Sequence, residues 1–192
     1  MQRLGAPRGN PALDRKGEAG LTWRMENNPI RAGEVALPFD PAETADDARL
    51  IYIGHAETPW RPERDCPRNT RQVRERLAEE PELSFRVHID LPFRPGLKDV
   101  KAGDKVMVLM WMNGSRRDLI IQNSRHRAEP AGLFSLRSPV RPNPIGLSLV
   151  RVKGIDREAG EITVDALDCF DGTPILDLKP WIETIDRLAD EP

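Results

Sequence analysis

Cysteine, histidine and long apolar runs are what this chain has least of. Its two cysteines, Cys66 and Cys169, form no CxxC pair, so neither a disulfide framework nor a thiolate metal centre is expected and a reducing compartment fits. His55, His88 and His126 are scattered without metal-ligand spacing, which argues against a structural or catalytic zinc. No apolar stretch approaches the roughly 18 residues that a membrane span needs. The first residues hold no apolar signal core, and a cytoplasmic location is the expectation. Net charge is only −2, so composition as a whole does not announce a nucleic-acid binder.

What is present is proline and clustered arginine. There are 18 prolines in 192 residues. Residues 61–76 carry six arginines against three acids, and residues 113–141 another six against two. Arginine forks suit phosphate and stacking contacts, although a solvated face carries them too.

Residues 1–48 are rich in Pro, Gly, Ala and charge without sustained periodicity, and read as a flexible or surface-draped arm. Residues 49–192 read as one domain of ordinary size. A first strand is expected at residues 50–54, broken by the T-P-W-R-P stretch at residues 58–62. A helix is expected over residues 70–80, with Asn69 or Thr70 as N-cap, Val73 and Leu77 on one face and Pro81 as the stop. Residues 85–91 alternate as a half-buried strand. Residues 105–112 form the most hydrophobic run and read as a central strand buried on both faces, with Asn113-Gly114 turning after it. Further strands are expected at 119–122 and 132–136, joined by a connection that carries Arg125, His126 and Arg127. Strands around 148–152 and 162–166 make a hairpin, 175–178 a final strand, and 182–190 a helical turn or two. Many strands, few helices and frequent turn signals argue for a small antiparallel β-barrel, mainly β with a few short helices and not a Rossmann fold. Trp111 is expected in the core; Trp60 and Trp181, beside prolines in loops, are expected to be exposed.

One stretch differs from an ordinary connector. Residues 137–146 read R-S-P-V-R-P-N-P-I-G, with prolines at 139, 142 and 144. Each proline fixes φ, removes a backbone donor and pushes the preceding residue toward extended conformations. The loop is therefore stiff, and Arg137, Ser138, Arg141 and Asn143 lose little further entropy on meeting a ligand. Gly146 permits close backbone approach where the loop enters the next apolar run. A second segment, L-D-C-F-D-G-T-P at residues 167–174 followed by I-L-D-L-K-P-W, sets Asp168 and Asp171 around a turn.

Together these motifs resemble the TrmO (YaeB-like) family of tRNA methyltransferases. That family carries an R-S-P-x-R-P-N-P-I-G loop and an L-D-x-x-D-G-T-P-x-x-D-I-K-P-Y segment. This chain has Leu178 for the isoleucine and Trp181 for the tyrosine. The clear match runs from about Gly132 to Trp181, with a weaker one from residue 51 through Cys66-Pro-Arg-Asn69.

The resemblance implies an S-adenosylmethionine-dependent enzyme on a small β-barrel, acting as a homodimer. The implied acceptor is N6 of the threonylcarbamoylated adenosine beside the tRNA anticodon. Family cofactor positions fall on Pro67, Arg68 and Asn69 (Asn replacing the family's Gln) and on Asn113 and Gly114, where the family has a His at Asn113. They also fall on Arg137 and Leu147, one suited to a carboxylate and the other to adenine.

Asn143 has a two-sided amide for an adenine edge. Asp168 and Asp171 are the candidate cofactor-binding and catalytic carboxylates, because a carbamoylated N6 is a weak nucleophile until its proton leaves. Arg127, Arg141 and Lys179 are candidate substrate contacts, although Lys179 and Asp177 share a strand face and can pair with each other. Two rival readings keep the cofactor: a different acceptor, or a non-catalytic dimer that senses S-adenosylmethionine.

Overall fold

The computed structural model describes residues 29–44, 48–61, 65–123 and 127–188. Most of the N-terminal arm, together with Arg64, Arg125 and His126, lies outside the described residues. The strands are β1 (Val35–Ala36), β2 (Gly54–Glu57), β3 (Phe85–Ile89), β4 (Lys105–Trp111), β5 (Leu119–Gln122), β6 (Ala131–Gly132), β7 (Ile145–Asp156), β8 (Glu161–Val164) and β9 (Pro174–Pro180). The helices are α1 (Pro41–Thr44), α2 (Thr70–Glu79) and α3 (Glu183–Asp186).

Six strands close into an antiparallel barrel in the order β2-β3-β8-β7-β4-β9, with β9 paired back onto β2. Closure follows from period-two patterning. Phe85, Val87 and Ile89 point inward from β3, Val150 and Val152 from β7, and Ile162 and Val164 from β8. A second sheet, β1-β5-β6, stands beside the barrel.

α2 begins where the sequence places it. The Asn69 side-chain oxygen accepts from Gln72 N–H at 2.9 Å, while the Gln72 side-chain oxygen accepts from Arg68 N–H at 3.0 Å. Val73 is buried and Leu77 packs against the barrel core.

Four expectations are corrected. The first barrel strand is Gly54–Glu57, not residues 50–54; Leu50, Ile51 and Tyr52 are exposed. Gly54, the last residue of the expected strand, is the first of the observed one, and it has to be glycine because a Cβ there would lie 1.8 Å from the His88 carbonyl oxygen. β4 is buried on one face only. Val106, Val108 and Met110 fill the barrel, whereas Met107, Leu109 and Trp111 lie half-buried on the outside, opposite Leu149, Leu147 and Ile145 of β7. Trp111 is therefore not a core residue. Its apolar neighbours reflect a second, outward apolar face.

Trp60, expected at the surface, is fully buried and tilts against Phe85 at 5.8 Å. Thr58 holds its loop inward by donating from Oγ1 to the Cys169 carbonyl at 2.9 Å. Residues 132–136 are not a strand. β6 ends at Gly132 and a 3-10 turn follows at Leu133–Ser135, where Ser135 Oγ donates to the Gly132 carbonyl at 2.8 Å.

Candidate functional site

A loop with three prolines lacks three backbone donors, and here side chains and neighbours satisfy several of its carbonyls. Arg117 Nε donates to Pro142 O at 2.5 Å, and buried Gln122 Nε2 to Val140 O at 2.5 Å. Met112 N–H donates to Pro144 O at 2.8 Å. Arg141 Nη1 donates to Ser138 O at 3.2 Å, and the Ser138 hydroxyl accepts from Val140 N–H at 3.2 Å. The Met112 contact sets the Asn113-Gly114 turn beside the loop's end. Arg117 also stacks over Trp111, 5.6 Å from the ring centroid. Asn143 keeps an exposed side chain while its carbonyl accepts from Ile145 N–H at 2.7 Å. Gly146 would bring a Cβ within 3.1 Å of the Met112 sulfur, so the close approach there is to a flexible thioether.

Arg137, at the loop's start, reaches its end. Its Nη2 donates to Leu147 O at 2.8 Å, which places a guanidinium next to an apolar side chain that is 45% exposed.

The second segment is anchored from below. Trp60 Nε1 donates to Leu167 O at 2.7 Å and Thr58 Oγ1 to Cys169 O, so the carbonyls on both sides of Asp168 are tied into the barrel. Asp171 uses both oxygens, accepting from Thr58 N–H at 3.0 Å and from Arg61 at 2.8 Å. Gly172 completes the turn at φ +75°, in the left-handed region, and its N–H donates to Ala56 O. Asp171 thus clasps the loop of residues 58–61 to the bend.

Asp168 is free to face the other way. Ser148, buried at the start of β7, donates its hydroxyl to Asp168 Oδ1. This bond joins the strand that leaves the proline loop to the acidic bend. Cys66 lies within reach of the same carboxylate: burial, then the Asp168 charge, pushes its thiol up to about 12. Pro67 and Asn69 follow at the start of α2. With its oxygen on Gln72, Asn69 keeps its amide donors for other partners.

The structure therefore joins Arg137 to the Leu147 backbone and Ser148 to Asp168 near the start of β7, with Leu147 turned outward, Ser148 turned inward and Cys66 close to Asp168. Asn113, Gly114 and Asn143 lie beside the proline loop. Lys179 is placed elsewhere. It bonds Asp177 at 2.8 Å and pairs across from Met107, four residues or about 13 Å from Trp111 at the loop end. Arg127 is exposed on the β5–β6 connection. An open cleft of about 650 Å³ runs along α2, lined by Cys66, Pro67 and Arg68 together with Asp65, Glu75 and Glu79, and includes neither Asp168 nor Arg137.

Ser148, Gln122, Arg117 and Thr58 were not singled out from sequence. Ser148 alone left a usable signal, a hydroxyl at an inward-facing place in the alternating run 147–152.

Residues 55–187 match the family described as tRNA-methyltransferase O N-terminal domain. The chain belongs to the TrmO family. It is 38% identical over 156 residues to a probable S-adenosyl-L-methionine-binding protein, VirR, of Rhizobium radiobacter, covering 81% of this chain and 82% of that one. A tRNA (adenine(37)-N6)-methyltransferase of Eikenella corrodens is 43% identical over 60 residues, 31% of this chain and 34% of its own length. A crystal structure of TrmO from Pseudomonas aeruginosa aligns with TM-score 0.54 and 25% identity, over 76% of this chain and 60% of that one. This TrmO-family chain thus spans about three fifths of that solved chain and about a third of the Eikenella enzyme.

Proposed function

We propose that this chain binds S-adenosylmethionine at the junction of the proline loop and the Asp168 bend, and methylates N6 of a threonylcarbamoylated tRNA adenosine. The observation that carries this reading is the Ser148–Asp168 hydrogen bond, which brings the two motif segments to one place. The residues there fit the cofactor's three chemistries. Arg137 offers a guanidinium for a carboxylate, and Leu147 an exposed apolar surface for an adenine. Asp168 offers a half-buried carboxylate for a cationic centre.

When bound, the cofactor supplies a methyl group on a sulfonium, which needs no metal. The chain's own task is to hold and orient the reactants. Ser148 fixes one Asp168 oxygen, leaving Oδ2 to accept the N6 proton. Asn143 presents its amide to an adenine edge, Asn69 its amide donors at the α2 start, and Arg127 and Arg141 their guanidiniums to phosphates.

A cytoplasmic homodimer completes the reading. The outer face of β4 and β7 leaves Ile145 and Leu149 at 40% and 37% exposure beside Met107 and Trp111, an apolar surface suited to a second copy.

A second reading keeps the cofactor and changes the acceptor. It is favoured by Asn113, which stands where the family has a titratable His, and by relatives named for S-adenosylmethionine binding alone.

The test is to incubate the protein with methyl-labelled S-adenosylmethionine and tRNA that carries the threonylcarbamoyl group. Label in that tRNA, and none in tRNA lacking the modification, is expected. Tight cofactor binding with no label in any RNA removes the tRNA acceptor. Arg137→Ala is expected to weaken cofactor binding in calorimetry without changing the fold; unchanged binding removes that contact.

A further inference from the structure

Phe134 is 85% exposed, the most exposed aromatic side chain among the described residues. Exposure alone would mean little, since single apolar residues on a surface are common. Three features of its setting set it apart.

First, the backbone under it is rigid. Leu133, the residue before it, is buried, and the turn is closed by the Leu136 N–H to Leu133 O bond at 2.9 Å and by Ser135 Oγ to Gly132 O. The ring is held out while its neighbour is anchored inward, so a partner meets a positioned surface at little entropic cost.

Second, its own segment gives it no apolar company. Among residues 127–143 it is the one exposed large hydrophobic side chain, in contrast to the outer face of β4 and β7. A protein partner is expected to meet a contiguous apolar patch, which this segment does not supply.

Third, the same segment is cationic. It carries Arg127, Arg137 and Arg141 against one acid, Glu129. Arg137 and Arg141 donate to backbone carbonyls, and Arg117 beneath the loop donates to Pro142 O, so these charges are not neutralised by carboxylates in those bonds. Nearby acids behave otherwise: Glu34 is paired with Arg31 and Asp118 with Arg116. A flat apolar ring on a stiff, net-positive ridge matches a single-stranded polyanion with bases turned out.

We propose that Phe134 is a stacking platform for a nucleobase flanking the reacting nucleotide, with the ridge arginines along the phosphates of the same strand. This deepens the tRNA reading and rests on it. No bond is made or broken at Phe134. Its part is to select and seat an unpaired strand, and so to favour a loop over a duplex.

The test compares wild type, Phe134→Ala, Phe134→Leu and Phe134→Tyr. The readouts are affinity for a 17-nucleotide RNA stem-loop and for its fully paired duplex, affinity for S-adenosylmethionine, and melting temperature. Phe134→Ala is expected to lose about 5- to 150-fold in stem-loop affinity, the span of one base–aromatic stack. Phe134→Tyr should restore it and Phe134→Leu should not, with cofactor affinity within about twofold throughout.

In a Phe134→Trp variant, the indole fluorescence should be quenched by the stem-loop and not by the duplex. Stem-loop affinity unchanged in Phe134→Ala, with wild type binding normally, overturns the stacking role and leaves the tRNA reading intact. Wild type binding neither RNA overturns both. A fall in self-association of Phe134→Ala with RNA affinity unchanged assigns the ring to a protein contact and overturns the proposal.

Discussion

Trp60 Nε1 donates to the carbonyl of Leu167 at 2.7 Å, with both side chains fully buried. One indole thereby links the loop after β2 to the residue immediately before Asp168. The site carboxylate inherits its position from the barrel core and not from the surface.

Trp60 should consequently report on both stability and function. Trp60→Ala is expected to cost about 3–5 kcal/mol through the cavity it leaves. Trp60→Phe should cost less, about 1–3 kcal/mol, by orphaning the Leu167 carbonyl. Urea unfolding measures both. Trp60→Phe should also weaken cofactor binding despite touching no ligand; unaltered binding would detach the site from this anchor.

Asp168→Asn removes the proposed proton acceptor while keeping the shape. Single-turnover methyl transfer is expected to slow by about 10²–10⁴-fold. Ser148→Ala leaves the carboxylate but loses a hydrogen bond to a charged group, worth about 1.5–3 kcal/mol, so a loss of roughly 10- to 150-fold is expected. Equal rates in Ser148→Ala and wild type would show that the hydroxyl positions nothing.

Cys66 gives a chemical ruler for the approach of residues 66–69 to Asp168. With its thiol pushed up to about 12, alkylation by iodoacetamide at pH 8 should be at least about a hundredfold slower than for a free thiol. Asp168→Asn removes the second of the two causes and should speed the reaction, with burial still limiting it. Mass spectrometry of the Cys66 peptide reads the outcome, and no acceleration would place the carboxylate away from the thiol.

Glu34 fastens the segment before β1 to the end of β5. Its side chain is 2% exposed and accepts from the Arg31 guanidinium at 2.6 Å and from Asn123 N–H at 3.0 Å. The Arg31 hydrogen bond, helped by those from the Arg31 and Asn123 backbones, lowers its carboxyl from 4.5 to about 2. A depressed carboxyl stabilises the fold above its unfolded value and loses that contribution as pH falls through its folded value. The fastening is therefore complete above pH 4.5 and weakens progressively toward about 2. Hydrogen exchange at residues 35–36 and 119–123 should accelerate over that window in wild type. Glu34→Gln should show the fast exchange already at pH 7.

Most of the barrel was legible because its signal is local. Alternation in residues 85–89, 148–152 and 162–164, and the Asn69 cap with Pro81, report on neighbours a few residues apart. The misreadings share a different cause. Gly54 pairs with β3 under the His88 carbonyl, 34 residues on, and Trp60 is held inward by Leu167 and Cys169, more than 100 residues on. Trp111 looked like core because one-dimensional hydrophobicity does not say which side of a closed wall a side chain takes. The convergence of residues 137–147 with Asp168 came from the resemblance. Its physical basis, the Ser148 hydroxyl, shows in the sequence only as one polar residue at an inward position.

β9 is the strand that seals the barrel, hydrogen-bonded to β2 on one side and β4 on the other, and it follows every other barrel strand along the chain. As the polypeptide leaves the ribosome, β2 and β4 must wait with open edges until residue 180 has emerged. Premature release before that point would leave two unzipped β edges available to neighbouring nascent chains. The molecule's most hazardous interval is thus the one between the making of β2 and the arrival of β9.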